Sequence, residues 1–351
     1  MADEQNGNLS TEYRKEKLRR RSRYLLVFLI LAAAALFLTV LNINTGSTHI
    51  PTGRIVRILF TGEGDTAEYN VIWKLRLPRV LMAALLGGAL SVSGFLLQTF
   101  FGNPIAGPYV LGISSGAKMT VALVMVFWLS RYSSVSSFMM VAAAFAGAML
   151  STGFILLISG KVRHIATLLV AGIMIGYICS AITDFVVTFA EDQDIVNLHG
   201  WSQGSFSGME GSDLRIAVLI CGVTLAVVFF LSKPIAAYQQ GEVYARSVGV
   251  NIPVFRAALI LLSGVLSACV TAFAGPISFV GMAVPHVIRR SLGTARPIVA
   301  TPAIFLGGAV FCMLCDLIAR TAFSPLQLNI STVTSFFGAP IVIFMLLKGK
   351  R

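Results

Sequence analysis

Charge is what this chain has least of. Only 12% of its 351 residues are charged, against about 25% in a soluble globular protein. Hydrophobic residues make up 56%, and the mean hydropathy is +0.83. This excludes disorder, which needs a chain poor in apolar residues. It also excludes the ordinary soluble two-domain protein that the length alone would suggest. A polytopic membrane protein remains. One helical crossing takes about 20 apolar residues, so the length allows roughly ten.

The chemistry of a nucleotide, metal or redox enzyme is missing as well. Histidines number four (His49, His164, His199 and His286), scattered without ligand spacing. The five cysteines lie inside apolar stretches and read as soft packing residues. Cys312 and Cys315 form a C-x-x-C with no second pair. The phosphate-binding G-x-x-x-x-G-K-[ST] is absent: between Gly112 and Lys118 the Gly and Lys are not adjacent, and Met119 follows the Lys. Any ATP must therefore be handled by a partner, and no catalytic, cofactor or metal site is expected in this chain. Gly112-Ile113-Ser114-Ser115-Gly116 fits the G-x-S-x-G of hydrolases. That elbow needs a preceding strand, and here it opens an apolar run. A membrane-embedded hydrolase would rest on Ser114 alone.

Apolar runs fall near 24–44, 78–100, 108–130, 136–159, 166–190, 214–232, 254–274, 277–289, 298–319 and 329–347. The second is cut by Gln98, and the eighth is short and holds Pro285. Residues 1–23 form a basic tail that is not a cleavable signal: the run after it is too long for a signal core and has no small-residue cleavage site. Residues 24–351 read as one transmembrane domain. With ten spans and the N-terminus inside, inner segments hold 18 Lys/Arg and outer segments eight. The positive-inside rule then places both termini in the cytoplasm. The net charge of +12 is thus topological, and nucleic acid is not an expected partner.

An internal repeat is visible. Leu90-Ser91 precedes Gly102-x-Pro104-Ile105, with Gly112 beyond; Leu266-Ser267 precedes Gly275-Pro276-Ile277, with Gly281 beyond. Gly147-Ala148 with Leu156-Leu157 matches Gly308-Ala309 with Leu317-Ile318 at equal spacing. The offset of five spans, an odd number, inverts one half relative to the other, as in many transporters. Gly172-x-x-x-Gly176 favours close helix approach, for packing within the chain or at a dimer seam.

Two series of residues carry a resemblance. The first is Leu75-Arg76-Leu77-Pro78-Arg79 followed by Gly102-Asn103-Pro104-Ile105-Ala106-Gly107-Pro108-Tyr109-Val110-Leu111-Gly112. The second runs through Leu168–Gly172, Trp201-x-x-Gly204-Ser205-Phe206-Ser207-Gly208, Gly241–Val250, Gly275–His286, Asp316–Arg320 and Gly338-Ala339-Pro340. In this order the motifs resemble FecCD-type permeases, the membrane subunits of ATP-binding-cassette importers for iron–siderophore complexes, haem and cobalamin. The resemblance covers about residues 50–350. It implies ten helices, a second permease subunit (the same or a related chain), two ATPase subunits inside and an extracytoplasmic substrate-binding protein, all at a bacterial or archaeal cytoplasmic membrane. A ferric siderophore is the expected cargo; haem or cobalamin is the alternative within the family.

The resemblance also assigns residues. Arg76, Arg79 and Arg320 match outer arginines that receive acidic residues of the binding protein. The inner loop near 233–253 matches the ATPase-coupling segment, through Gly241, Glu242, Tyr244, Ala245, Arg246 and Gly249. His164, Ile165 and Ala166 occupy the inner-gate position, where many members carry small hydroxyl residues. Asp316 and Arg320, four apart, also suit an ion pair on one helix.

Lys118 and Asp184 stand inside spans where the family has small or apolar residues. A charge at mid-bilayer costs roughly 2.5–3.5 kcal/mol on insertion scales and normally faces the bundle interior or a wet cavity. One or both are expected to line the translocation path; the alternative is that they pair with each other or with backbone carbonyls. A secondary transporter driven by protons or sodium is the rival reading; it would have only Asp184 and Asp316 as midplane carboxylates.

Overall fold

The computed structural model describes residues 2–46, 48, 50–62, 65–128, 136–162 and 165–348; the described residues form helices and connecting turns and no strand. Helix α1 (Ala2–Asn44) runs unbroken through the basic segment into the first apolar run. Residues 2–23 of the expected tail and the first span are one helix here. Good helix formers predominate only from residue 12 onward, where Glu16 pairs with Arg20, one turn on, at 2.5 Å. Two short helices follow, α2 (Thr52–Thr61) and α3 (Thr66–Asn70). A wide π turn at Val71–Arg76 then leads into α4 (Leu77–Phe101), with Pro78 in its first turn.

The rest of the bundle is α5 (Ile113–Leu123), α6 (Ser137–Ser159), α7 (Ile165–Val187), α8 (Asp192–Ser202), α9 (Gly211–Phe230), α10 (Ser232–Gln239), α11 (Glu242–Ser247), α12 (Ile252–Ala274), α13 (Val280–Leu292), α14 (Pro297–Thr321) and α15 (Ile330–Lys348). Eight described helices are long and apolar enough to cross a membrane: α1, the α3–α4 unit, α6, α7, α9, α12, α14 and α15. The two remaining apolar runs of the sequence correspond to short helices. These are α5 with its π-helical extension, Ile113–Phe127, and α13. Each is short because it follows a stretch that is not α-helical, Gly102–Gly112 (with one 3-10 turn at Pro108–Leu111) before α5 and Gly275–Phe279 before α13.

Helices α4 and α12 form the centre. Ser93 of α4 bonds to the Ser263 and Ser267 hydroxyls of α12 at 2.8 and 2.6 Å, with every partner buried. Around this pair the halves exchange partners: α4 packs on α14, and α12 packs on α6. The two contacts are counterparts in the repeat, as an inverted arrangement requires. Backbone proximity sets the glycines. A Cβ on Gly94 would lie 1.8 Å from the Gly281 carbonyl oxygen, and one on Gly87 2.5 Å from that of Gly308. Gly172 similarly lets α7 approach the Val110 carbonyl oxygen, where a Cβ would come within 2.6 Å. The G-x-x-x-G thus serves packing within the chain.

Candidate functional site

At the outer end the three signature arginines converge on one cavity of about 500 Å3, walled also by Thr45, Thr48, Ser207–Met209, Ser324, Pro325 and Gln327. Their guanidinium groups are already engaged. Helix α1 ends here, and its last carbonyls lack intrahelical partners. Arg76 donates to the Ile43 oxygen at 2.7 Å and to that of Thr48. Arg320 donates to the Asn42 and Thr45 oxygens at 2.7 and 2.8 Å. These cations also complement the negative end of the α1 dipole. Arg79 grips Asp316 through two nitrogens, at 2.8 and 3.1 Å. Asp316 is 1% exposed. Its contact with Arg320, the i,i+4 pair anticipated from spacing, is looser at 3.7 Å. Asp316 is therefore primarily the partner of Arg79. Three guanidiniums and one carboxylate leave the cavity positive among the described residues.

Deeper in the bundle the two non-helical stretches meet. The Tyr109 hydroxyl accepts from the Ile277 amide at 2.6 Å and donates to the Ile277 carbonyl. Ser331 donates to the Pro276 oxygen at 2.6 Å, and the Ser205 amide to that of Ala274 at 2.8 Å. Non-helical backbone survives at membrane depth only where its polar groups are satisfied inside protein. The motif Trp201–Gly208 is thereby explained. Gly204, at φ +72°, lies where a Cβ would come within 2.8 Å of the Pro276 oxygen.

Helices α10 and α11 form the inner element. The loop is folded into these two short helices, with Gly241 at φ +112° between them. Glu242 opens α11 and binds the Arg256 guanidinium of α12 and, at 3.0 Å, the Tyr238 hydroxyl of α10. One carboxylate thus ties α10, α11 and α12 together. Burial pushes the Tyr238 phenol up, while the hydrogen bond from Arg256 pulls it down. Ala245 is buried, whereas Val243, Tyr244 and Arg246 project outward and Gly249 closes the turn. Val243 is 85% exposed. A cavity of about 570 Å3 separates this element from the Gly102–Pro104 turn, with Gln98 and Arg289 in its wall. Arg289 donates to Gln98 at 2.7 Å, and Gln98 to the Met282 oxygen at 3.1 Å. Helices α4 and α13 are thus tied beside α10 and α11.

Lys118 is partly exposed on α5 and Asp184 exposed on α7. They form no ion pair with each other, and no side-chain bond joins either to another described residue. Of the gate residues, His164 lies outside the described residues. Ile165 starts α7, and Ala166 is exposed in its first turn. No group of three or more metal-ligating side chains occurs among the described residues, and the five cysteines are free and buried.

Sequence reasoning missed the roles of Tyr109, Arg256 and Arg289. Tyr109 stood within a quoted motif but had no visible partner 168 residues away. Gln98 was noticed only as a polar interruption.

A model of the FecCD transport family matches residues 33–348. The vitamin B12 import system permease protein BtuC of Escherichia coli O9:H4 is 32% identical over 96% of this chain and 98% of that protein. The BtuC of Klebsiella pneumoniae is 37% identical over 80% of this chain and 83% of its own. Among solved structures, a candidate metal-chelate type ABC transporter in an inward-facing conformation superposes with a TM-score of 0.80. It is 25% identical and is covered over 92% of this chain and 99% of its own.

Proposed function

The chain belongs to the FecCD transport family and is a multi-pass permease of the ATP-binding-cassette importer type; from that premise we propose that its cargo is an anionic metal chelate, a ferric siderophore. The observation that carries this reading is Lys118. It is a cation within an apolar helix, partly exposed and without a described ion pair. A lysine so placed attracts an anion into a passage whose low dielectric strengthens the attraction. A second reading, cobalamin, is supported by the 32% identity to a vitamin B12 permease across nearly the whole chain.

In this reading the binding protein docks over the outer cavity. Carboxylates on its two lobes meet the positive charge held by Arg76, Arg79 and Arg320, and opposite charges speed the encounter. Two cytoplasmic ATPase subunits, which use the ATP and Mg, grip Val243, Tyr244 and Arg246 on α11. Glu242 passes their movement through Arg256 to α12. Cargo crosses between this chain and a second permease subunit, and the gate near 164–166 closes the inner end. Alternating access requires an element touching both motor and pathway helices, and the α10–α11–α12 tie meets that requirement.

The test is reconstitution of the permease with its ATPase and binding protein, loaded in turn with ferric siderophore, haem and cobalamin. ATPase stimulation and uptake with the ferric siderophore alone support the proposal. Uptake of cobalamin alone replaces it with the second reading. Failure to associate with an ATPase, with uptake driven by a proton gradient, overturns both.

A further inference from the structure

The inner end of α1 holds the densest charge in the chain, with seven Lys or Arg between residues 14 and 23. Lys17, Arg20, Arg21 and Tyr24 share one helix face by their spacing. Together with Glu16 they meet Arg296, at the start of α14, around a cleft of about 280 Å3. Among the described residues Glu16 is the only acidic one in its wall, and it is paired with Arg20. The side chains of Lys17, Arg21 and Arg296 form no ion pair among the described residues. Three cations thus face one cleft without a counter-charge.

The cleft is fastened in place. Arg23 donates to the Ser291 and Arg290 oxygens at 2.8 and 2.9 Å, capping the end of α13. Gly293, at φ +67°, closes α13, and a Cβ there would come within 2.4 Å of the Arg23 guanidinium. This joint holds the basic face of α1 against the turn that carries Arg296.

An apolar wall flanks the cleft. Leu25 and Leu29, four and eight residues beyond Arg21 on the same ridge of α1, are more than half exposed, and the apolar stretch of α1 is only 6% buried within the protein. A small soluble anion would use the cleft and leave that wall untouched. A molecule with an anionic head and acyl tails matches both, at the cytoplasmic depth where basic pockets between helices meet headgroups. We propose that the cleft between α1 and the start of α14 binds the phosphate headgroup of an anionic phospholipid, whose chains lie along Leu25 and Leu29. This site does not depend on the identity of the cargo.

The test titrates the purified full-length chain in detergent with phosphatidylglycerol or phosphatidylcholine and counts bound lipid by native mass spectrometry. The wild-type chain is expected to retain phosphatidylglycerol selectively. A cation near an anionic leaflet is worth about fivefold in binding, so K17Q/R21Q/R296Q should weaken retention by more than about tenfold, and the charge-preserving K17R/R21K/R296K should keep it. Should the triple variant fold poorly, R21Q and R296Q singly are expected to lose about fivefold each. Equal retention of both lipids, or undiminished phosphatidylglycerol binding in the neutralised variants, overturns the proposal. So does inorganic phosphate displacing phosphatidylglycerol at equal concentration, since the occupant would then be a soluble anion.

Discussion

The Tyr109 hydroxyl satisfies both the amide and the carbonyl of Ile277. One side chain therefore closes the backbone hydrogen bonding of the break before α13 from within the break before α5.

Tyr109→Phe should orphan both groups while keeping the ring. A buried polar group left unmade costs about 1–3 kcal/mol. The variant should melt several degrees lower in detergent, by scanning fluorimetry. An unchanged melting temperature would mean that water replaces the hydroxyl.

Arg79→Ala leaves the buried carboxylate of Asp316 only its looser contact with Arg320 at 3.7 Å. Breaking a buried pair from one side costs about 3–5 kcal/mol, so folded yield should collapse. R79A/D316N should recover part of it, because the buried carboxylate is then neutral and Arg320 keeps its bonds to the Asn42 and Thr45 oxygens. If R79A folds normally but no longer binds the binding protein, the arginine serves docking more than the fold.

The tie between Glu242 and Arg256 is partly exposed, at 38% and 26% for the two side chains. Its loss should cost under about 1 kcal/mol of stability. E242Q and R256Q should therefore fold and bind the ATPase, yet transport less cargo per ATP hydrolysed. The exchange E242R/R256E should restore part of the ratio. A ratio unmoved in all three variants would remove the tie from the coupling path.

Gly94→Ala places a methyl group against the Gly281 backbone. Overpacking costs about 1–3 kcal/mol or more, because neither backbone can step aside. Gly153→Ala in α6 meets nothing within 4 Å and should be neutral or stabilising. Comparing the two melting curves separates steric cost from helix propensity.

Lys118→Ala should lower uptake of an anionic ferric chelate about tenfold while sparing a neutral one. Equal rates for both cargoes in wild type and variant would exclude the lysine from the pathway.

Hydropathy made the eight membrane-length helices among the described residues legible, because a bilayer demands long apolar runs whatever their packing; the runs at 108–130 and 277–289 became short helices. The repeat was legible through Gly275-Pro276 and Gly308-Ala309, since broken helices and close crossings need those residue types. The partner of Asp316 was not. Spacing favours Arg320 on the same helix, and only the crossing of α4 over α14 brings Arg79 nearer. Nor could the sequence show that the α1 carbonyls consume Arg76 and Arg320. A helix end advertises its unpaired groups, but not which distant side chain will reach them.

The exchange of helices between halves sets an order on biosynthesis. Ser93 emerges 170 residues before the Ser263 it bonds. At about 5–20 residues per second, the ribosome takes on the order of 10–30 s to deliver that partner. For that interval α4 must sit in or beside the insertion machinery with its hydroxyls and glycine face uncovered. Surveillance proteases acting on unassembled membrane segments would find their best target in this half-made chain, and a pause in translation before α12 would lengthen the exposure.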